Sequence, residues 1–203
     1  MLVPTVITHR RPSPNVSSFL FRHASLWGIC DRYEFDYMVQ DTPFLSKLSG
    51  KPVIDDLSLR VNDIISIGSI KRYRNTGYTL LMSEDVVFNS DEWFCRRDRL
   101  ELTGGVAGGK MSRVGVCYEP ALPSLYYRRA LRFLGVNVED VVWLNKEPDA
   151  WSAFSAASYC SAVVIGFSAM SWWCGWYCQG DVIRPYQSKW EAGFKYPKSW
   201  III

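Results

Sequence analysis

The stretch Val163-Val164-Ile165-Gly166-Phe167-Ser168-Ala169-Met170-Ser171-Trp172-Trp173 decides how this chain is read. Its first three residues are a short, wholly apolar, β-branched run, the composition of a strand buried on both faces. A glycine and a hydroxyl then interrupt the run, and aromatic residues in a helical pattern come next, so the stretch is a strand that turns into a helix. The first turn of such a helix carries N–H groups without intrahelical acceptors and the positive end of the helix dipole. With the Ser168 and Ser171 hydroxyls beside it, that turn suits a diphosphate without a metal ion. The plainer reading is that one of the two serines caps the helix.

Outward from this junction the second half of the chain keeps the same alternation. Strands are expected at 113–118, 140–144, 162–167 and 181–184. Helices are expected at 125–134, 149–160 and 171–179, the first stopped by Gly135 and the last by Gly180. Strand-helix units in sequence predict an α/β architecture: a Rossmann-like parallel sheet with helices on both faces and ligands beyond the carboxyl ends of the strands. Earlier in the chain, Phe19, His23, Leu26, Trp27 and Cys30 mark a helix over 17–31, with Asn15 or Ser17 as N-cap. Strands are expected at 61–70 and 78–82, and the basic Asn-Thr-Gly segment 71–77 between them reads as the turn of an antiparallel hairpin. Gly104-Gly105 and Gly108-Gly109 do not follow a strand and open a helix as a phosphate loop would, so they read as a linker. The expected organisation is an N-terminal half over 1–110 and a Rossmann-like half over 111–203, as two parts or as one compact unit.

Composition excludes several classes. With 203 residues, 48% of them hydrophobic and 21% charged, the chain is neither collagen-like nor disordered and is long enough to bury a core. A net charge of +3, with Lys71-Arg72-Tyr73-Arg74 and Arg96-Arg97-Asp98-Arg99 as its densest basic runs, gives no specific nucleic-acid signal; both runs read as solvated faces. Six cysteines without compact spacing, and only two histidines, argue against a disulfide framework and a zinc site, and for reduced thiols in the cytoplasm. The first ten residues lack the apolar run of a signal peptide. Residues 151–180 contain no Asp, Glu, Lys or Arg, which is length enough to cross a bilayer. Their serines, glycines and changing period favour a buried soluble core over a membrane span. Six of the nine tryptophans lie from Trp151 onward, so the aromatic excess is local.

The run from Cys160 to Trp190 resembles the C-terminal signature of the α-1,2-fucosyltransferases and their GDP-sugar-dependent relatives. Cys160, Ser168, Ser171, Trp172, Trp173, Gly175 and Trp176 carry the match, and Val182-Ile183-Arg184-Pro185 and Trp190 close it. Leu122-Pro123-Ser124-Leu125-Tyr126-Tyr127-Arg128-Arg129-Ala130 resembles the family's L-P-x-x-Y-Y-x-x-A helix, and Phe19-Leu20-Phe21-Arg22-His23-Ala24-Ser25-Leu26 resembles its first helix. The resemblance implies a GT-B-like fold, here trimmed, and metal-independent transfer of fucose from GDP-fucose to a hydroxyl of a glycan or protein acceptor. No cofactor is implied beyond that donor. On this reading Ser168 and Ser171 contact the donor phosphates, and Arg184, or Arg22 with His23, supplies positive charge; His9, Arg10 and Arg11 form a further, displaced basic cluster. Glu119 and Asp149 are candidate general bases, and no catalytic residue is assigned.

Three departures run against catalysis. Where the family has an H-x-R-R-x-D strand whose arginine grips the donor phosphate, this chain has Val114-Gly115-Val116-Cys117-Tyr118-Glu119-Pro120, with neither His nor Arg. The glycine-rich loop before the first helix is Pro14-Asn15-Val16-Ser17-Ser18-Phe19, and Phe167 and Ala169 replace an Asn and a hydroxyl of the signature. A guanidinium fork at a diphosphate has no easy substitute, because its bonds are bidentate and charge-assisted. The expectation is a non-catalytic descendant of a fucosyltransferase-like enzyme, acting as a structural or interaction subunit through protein partners or self-assembly, for example by an exposed aromatic tail over 194–203. The alternative is a metal-independent glycosyltransferase moving a sugar from a GDP-sugar to a hydroxyl acceptor.

Overall fold

The computed structural model describes residues 5–9, 15–33, 36–37, 47–48, 63–67, 70–74, 79–83, 102, 111–186 and 196–203, for some of them the main chain alone. The chain divides into two compact units, Met1–Thr103 and Gly104–Ile203.

The first unit contains β1 (Thr5–His9), α1 (Val16–Tyr33), β2 (Asp36–Tyr37), β3 (Asp63–Ile67), β4 (Ile70–Arg74) and β5 (Thr79–Ser83). They form one sheet in the order β2-β1-β5-β4-β3, in which β1 runs parallel to β2 and β5 while β3, β4 and β5 form an antiparallel meander. The antiparallel character expected here is present, but the basic segment 71–74 lies inside β4 rather than in the turn, and 61–70 is not one strand. Arg72 pairs with Ile65 on one side and Leu81 on the other. A main chain bonded on both sides satisfies its donors and acceptors whatever charge the side chains carry, so composition misread this segment. Asn15 caps α1: its Oδ1 accepts from Ser18 N at 2.8 Å and its carbonyl from Phe19 N at 3.0 Å. Phe19, Leu20, Ala24 and Trp27 bury one face of that helix. The basic run 96–99 and the glycine pairs at 104–109 lie outside the described residues.

The second unit contains β6 (Met111–Val116), α2 (Ser124–Leu134), β7 (Val141–Trp143), α3 (Ala150–Tyr159), β8 (Cys160–Val164), α4 (Ala169–Tyr177), β9 (Asp181–Arg184) and β10 (Ile201–Ile202). Its five strands lie in the order β10-β9-β8-β6-β7, and every neighbouring pair is parallel. This is a Rossmann-like α/β sheet. Alternation along the strands sorts its two faces. Val114, Val116, Ala162, Val164 and Ile183 point to one face and bury Tyr126, Tyr127, Ala130 and Leu131 of α2. Gly115, Val163 and Val182 point to the other; there a Cβ on Gly115 would touch Leu144 and Val163, and Val182 lies under Gly175 of α4. The helix ends are encoded locally. Gly135 closes α2 in the left-handed conformation at φ 66, and Asp149 opens α3 by accepting from the N–H groups of Trp151 and Ser152.

The uncharged segment 151–180 is therefore α3, β8 and α4, helices packed on each other and on a central strand, which is why no polar face was needed. Among the described residues no helix is long and apolar enough to cross a membrane. Residues 196–203 differ from the exposed tail expected. Trp200 is buried against Trp172, because a ring that size gains more against the core than in water, and the main chains of Ile201 and Ile202 pair with Ile183 and Arg184, with the Ile202 side chain left exposed. Phe194 lies outside the described residues.

Candidate functional site

The strand order places a crevice. The chain leaves β6, crosses by α2 to β7 on one side, then returns by α3 to β8 on the other side of β6. Connections therefore diverge between the carboxyl ends of β6 and β8, the position at which open parallel sheets bind ligands. There β6 runs on into Cys117-Tyr118-Glu119, and β8 runs on into Ile165-Gly166-Phe167-Ser168.

Glu119 spans that position. Its Oε2 accepts from Phe167 N and its Oε1 from Ser168 N, each at 2.8 Å, so one carboxylate takes two adjacent main-chain donors just before α4. The main chain of Glu119 is held as well. Glu119 N donates to Tyr127 Oη at 2.7 Å, and Glu119 O accepts from Leu122 N at 3.0 Å. Gly166 is required beneath it, because a Cβ there would fall on the Glu119 carboxyl group. Two tyrosines of α2 fasten the surrounding strand ends. Tyr126 Oη donates to Ile165 O at 2.6 Å and also reaches Ile183 O at 3.2 Å, while Tyr127 Oη donates to Cys117 O at 3.3 Å. Burial disfavours the phenolate, pushing Tyr127 up to about 12 and Tyr126 further still, so both remain donors across the physiological range. A hydrogen bond to Cys174, then burial, raises the Cys117 thiol well above its usual range, and burial raises Cys160 to about 12. Cys117, Cys160, Cys174 and Cys178 are all buried, and thiols in such surroundings pack as small apolar groups.

Of the residues expected from sequence, Ser168 and Ser171 share one turn, and both hydroxyls are used within it. Ser168 Oγ accepts from Ser171 N at 3.2 Å as the N-cap of α4, and Ser171 Oγ donates to Ser168 O at 2.9 Å. Ser171 is buried and Ser168 exposed. Arg184 ends β9. Its neighbour Ile183 points to the α2 face, so Arg184 leaves the strand toward α4, where its guanidinium lies over the Tyr196 ring at 4.9 Å. Arg184 Nε and Nη1 are buried, and among the described residues neither has an acceptor. His23 is fully buried in α1 of the first unit, stacked on Phe19 and edge-on to Trp27. Arg22 precedes it in α1, with its side chain outside the described residues, as are the side chain of His9 and all of Arg10 and Arg11. Asp149 is committed to capping α3.

The tryptophans of α4 face inward. Trp173 has no exposed surface and Trp172 almost none, and Trp172 lies against Trp173, Trp176 and Trp200 at centroid distances of 5.0, 5.4 and 5.5 Å. They fill the core between α4 and the sheet. The anchoring role of Tyr126 and Tyr127 is not signalled by composition; adjacent tyrosines near a helix start, after a proline, were the only local mark of it. No known protein family, curated protein or solved structure matches the chain.

Proposed function

We propose that the chain is a non-catalytic binding or structural subunit built on a fucosyltransferase-like α/β unit. The observation that supports this reading most is the Glu119 carboxylate on Phe167 N and Ser168 N. The resemblance puts a donor's phosphates at the turn into α4; a fixed carboxylate there occupies two of the turn's amides and repels a second anion. Of the serines expected to contact phosphate, Ser171 is buried with its hydroxyl donating to Ser168 O, and no arginine stands at the end of β6. The buried thiols fit a reducing cytoplasmic setting, and the subunit would act through protein partners or self-assembly.

The alternative, metal-independent transfer from a GDP-sugar to a hydroxyl acceptor, draws on Arg184, whose Nε and Nη1 have no acceptor among the described residues, and requires Glu119 to leave its amides. The two readings separate by adding GDP-fucose to the intact chain while monitoring released GDP and the Tm. A non-catalytic subunit releases no GDP above the enzyme-free rate, and GDP-fucose raises its Tm no more than equimolar inorganic phosphate does. A ligand present at 100 times its Kd stabilises a fold by about 2.7 kcal/mol, so nucleotide-specific binding is readily seen. Turnover, or a shift specific to the nucleotide sugar, overturns the proposal.

A further inference from the structure

We infer that the outward face of α2 is a docking surface for an acidic amphipathic helix of a protein partner, which rests on the subunit reading above and gives that subunit its contact. Tyr126, Tyr127, Ala130 and Leu131 bury one face of α2, while Leu125, Arg128, Arg129, Arg132 and Phe133 stand exposed on the other. Their spacing of i, i+3, i+4, i+7 and i+8 makes them one stripe along the helix. No acidic residue lies on α2, so its three arginines are not balanced within the helix. Arg128 Nη2 donates to Ser124 Oγ at 3.3 Å, and among the described residues no carboxylate pairs with Arg128, Arg129 or Arg132. The helix dipole favours Arg132 in the last turn, but it gives no reason for Leu125 to be 53% exposed and Phe133 59% exposed. A single exposed apolar side chain is ordinary; one at either end of an arginine row on one helix face is a pattern of recognition.

Charge and spacing give the partner's class. Leu125 and Phe133 lie two turns apart, about 12 Å along the helix axis, with the arginines between them. A guanidinium pairs with a carboxylate through two parallel bonds, and arginine with aromatic side chains is the composition of protein interface centres, where lysine is scarce. All the cations of this stripe are arginines. A second helix laid along α2 meets them with carboxylates one turn apart and covers Leu125 and Phe133 with an apolar side chain at either end. A nucleic acid would use the charges and leave both apolar side chains in water, and a net charge of +3 over the whole chain supplies no wider basic field for it. A bilayer surface takes up a contiguous apolar stripe, whereas guanidinium groups separate the two apolar side chains here.

The test measures, by fluorescence anisotropy at physiological ionic strength, binding of the intact chain to a labelled helical peptide that carries Glu one turn apart along one face and Leu at either end of that face. Saturable binding is expected, weakened about tenfold or more when the Glu residues become Gln and likewise when the Leu residues become Ala. Phe133→Ala should weaken it about tenfold. The triple variant Arg128→Glu, Arg129→Glu, Arg132→Glu should lose the acidic peptide about thirtyfold or more and gain a peptide with Lys in place of Glu, a reversal that damage to the fold cannot produce. The substituted side chains are exposed, so the variants should keep the near-ultraviolet circular dichroism of the parent. No saturable binding, an affinity unchanged by charge reversal, or equal binding of the peptide without Leu overturns the inference. Tighter binding of a single-stranded RNA of equal charge, or of phosphatidylserine vesicles, abolished by the same triple variant, overturns it as well. GDP-fucose turnover overturns the subunit reading whatever the peptide does, whereas absence of peptide binding without turnover overturns this surface alone.

Discussion

Replacing Glu119 by alanine removes a charged acceptor from two amides at once. Hydrogen bonds to charged groups are worth about 1.5–3 kcal/mol, so Glu119→Ala should lower unfolding stability by about 2 kcal/mol in urea denaturation. Gly166→Ala should act in the same direction, because its methyl group displaces the same carboxylate. The phenol of Tyr127 and the thiol of Cys160 carry a dependence on pH whose sign is fixed. Their ordinary values are 10.0 and 9.0, and in the folded chain both stand at about 12. The unfolded chain therefore loses these protons first as the solution becomes alkaline. Their stabilisation is full below pH 9 and declines as pH rises toward about 12. Tm measured across that window should fall, and Tyr127→Phe should make the fall shallower. Tyr127→Phe should also cost about 1 kcal/mol at neutral pH, since it gives up the bonds to Cys117 O and Glu119 N.

Among the elements, α4 is the most constrained. A methyl group at Gly175 would lie 2.9 Å from Trp200 Cη2 and 3.0 Å from Val182 Cγ1. Overpacking of this kind costs about 1–3 kcal/mol against a gain of about 1 kcal/mol in helix propensity, so Gly175→Ala should be destabilising and should change the tryptophan emission spectrum. Ser168→Ala should cost about 1 kcal/mol through the lost cap. The order of strands and helices after Arg113 was legible because each element carries its own signal. Val163-Val164-Ile165 has the composition of a buried strand, Gly135 stops α2, and Asp149 and Ser168 start helices, whereas α4 ends at Tyr177, before the Gly180 expected to stop it. The placement of Arg72 in a strand was not legible, since a ladder bonded on both sides tolerates charges that composition assigns to a turn. For the site, the serine turn was found, and Ser168 caps α4 as its plainer reading has it. Glu119 was singled out as a candidate base, but its bond to amides 48 and 49 residues away depends on parallel pairing of β6 with β8, which no local pattern reveals. The same holds for Tyr126, whose acceptors lie 39 and 57 residues ahead.

At the scale of the whole molecule, the unit Gly104–Ile203 has its own sheet, its own caps and a continuous buried cluster from Val114 to Ile183. A fragment over 104–203 should therefore fold by itself, with near-ultraviolet circular dichroism from its packed tryptophans and a single cooperative unfolding transition. A fragment with far-ultraviolet signal alone would show that its packing depends on the rest of the chain. The pairing of Ile201 and Ile202 with β9, completed by the bond from Ile203 N to Arg184 O at 3.2 Å, has a consequence for solution behaviour. Those few residues occupy donors and acceptors that would otherwise form an open strand rim, a ready template on which one molecule recruits another into fibrous aggregates. The segment 201–203 thus serves as a sacrificial strand: removing it should leave the crevice beside Glu119 untouched yet turn a well-behaved protein into one that precipitates.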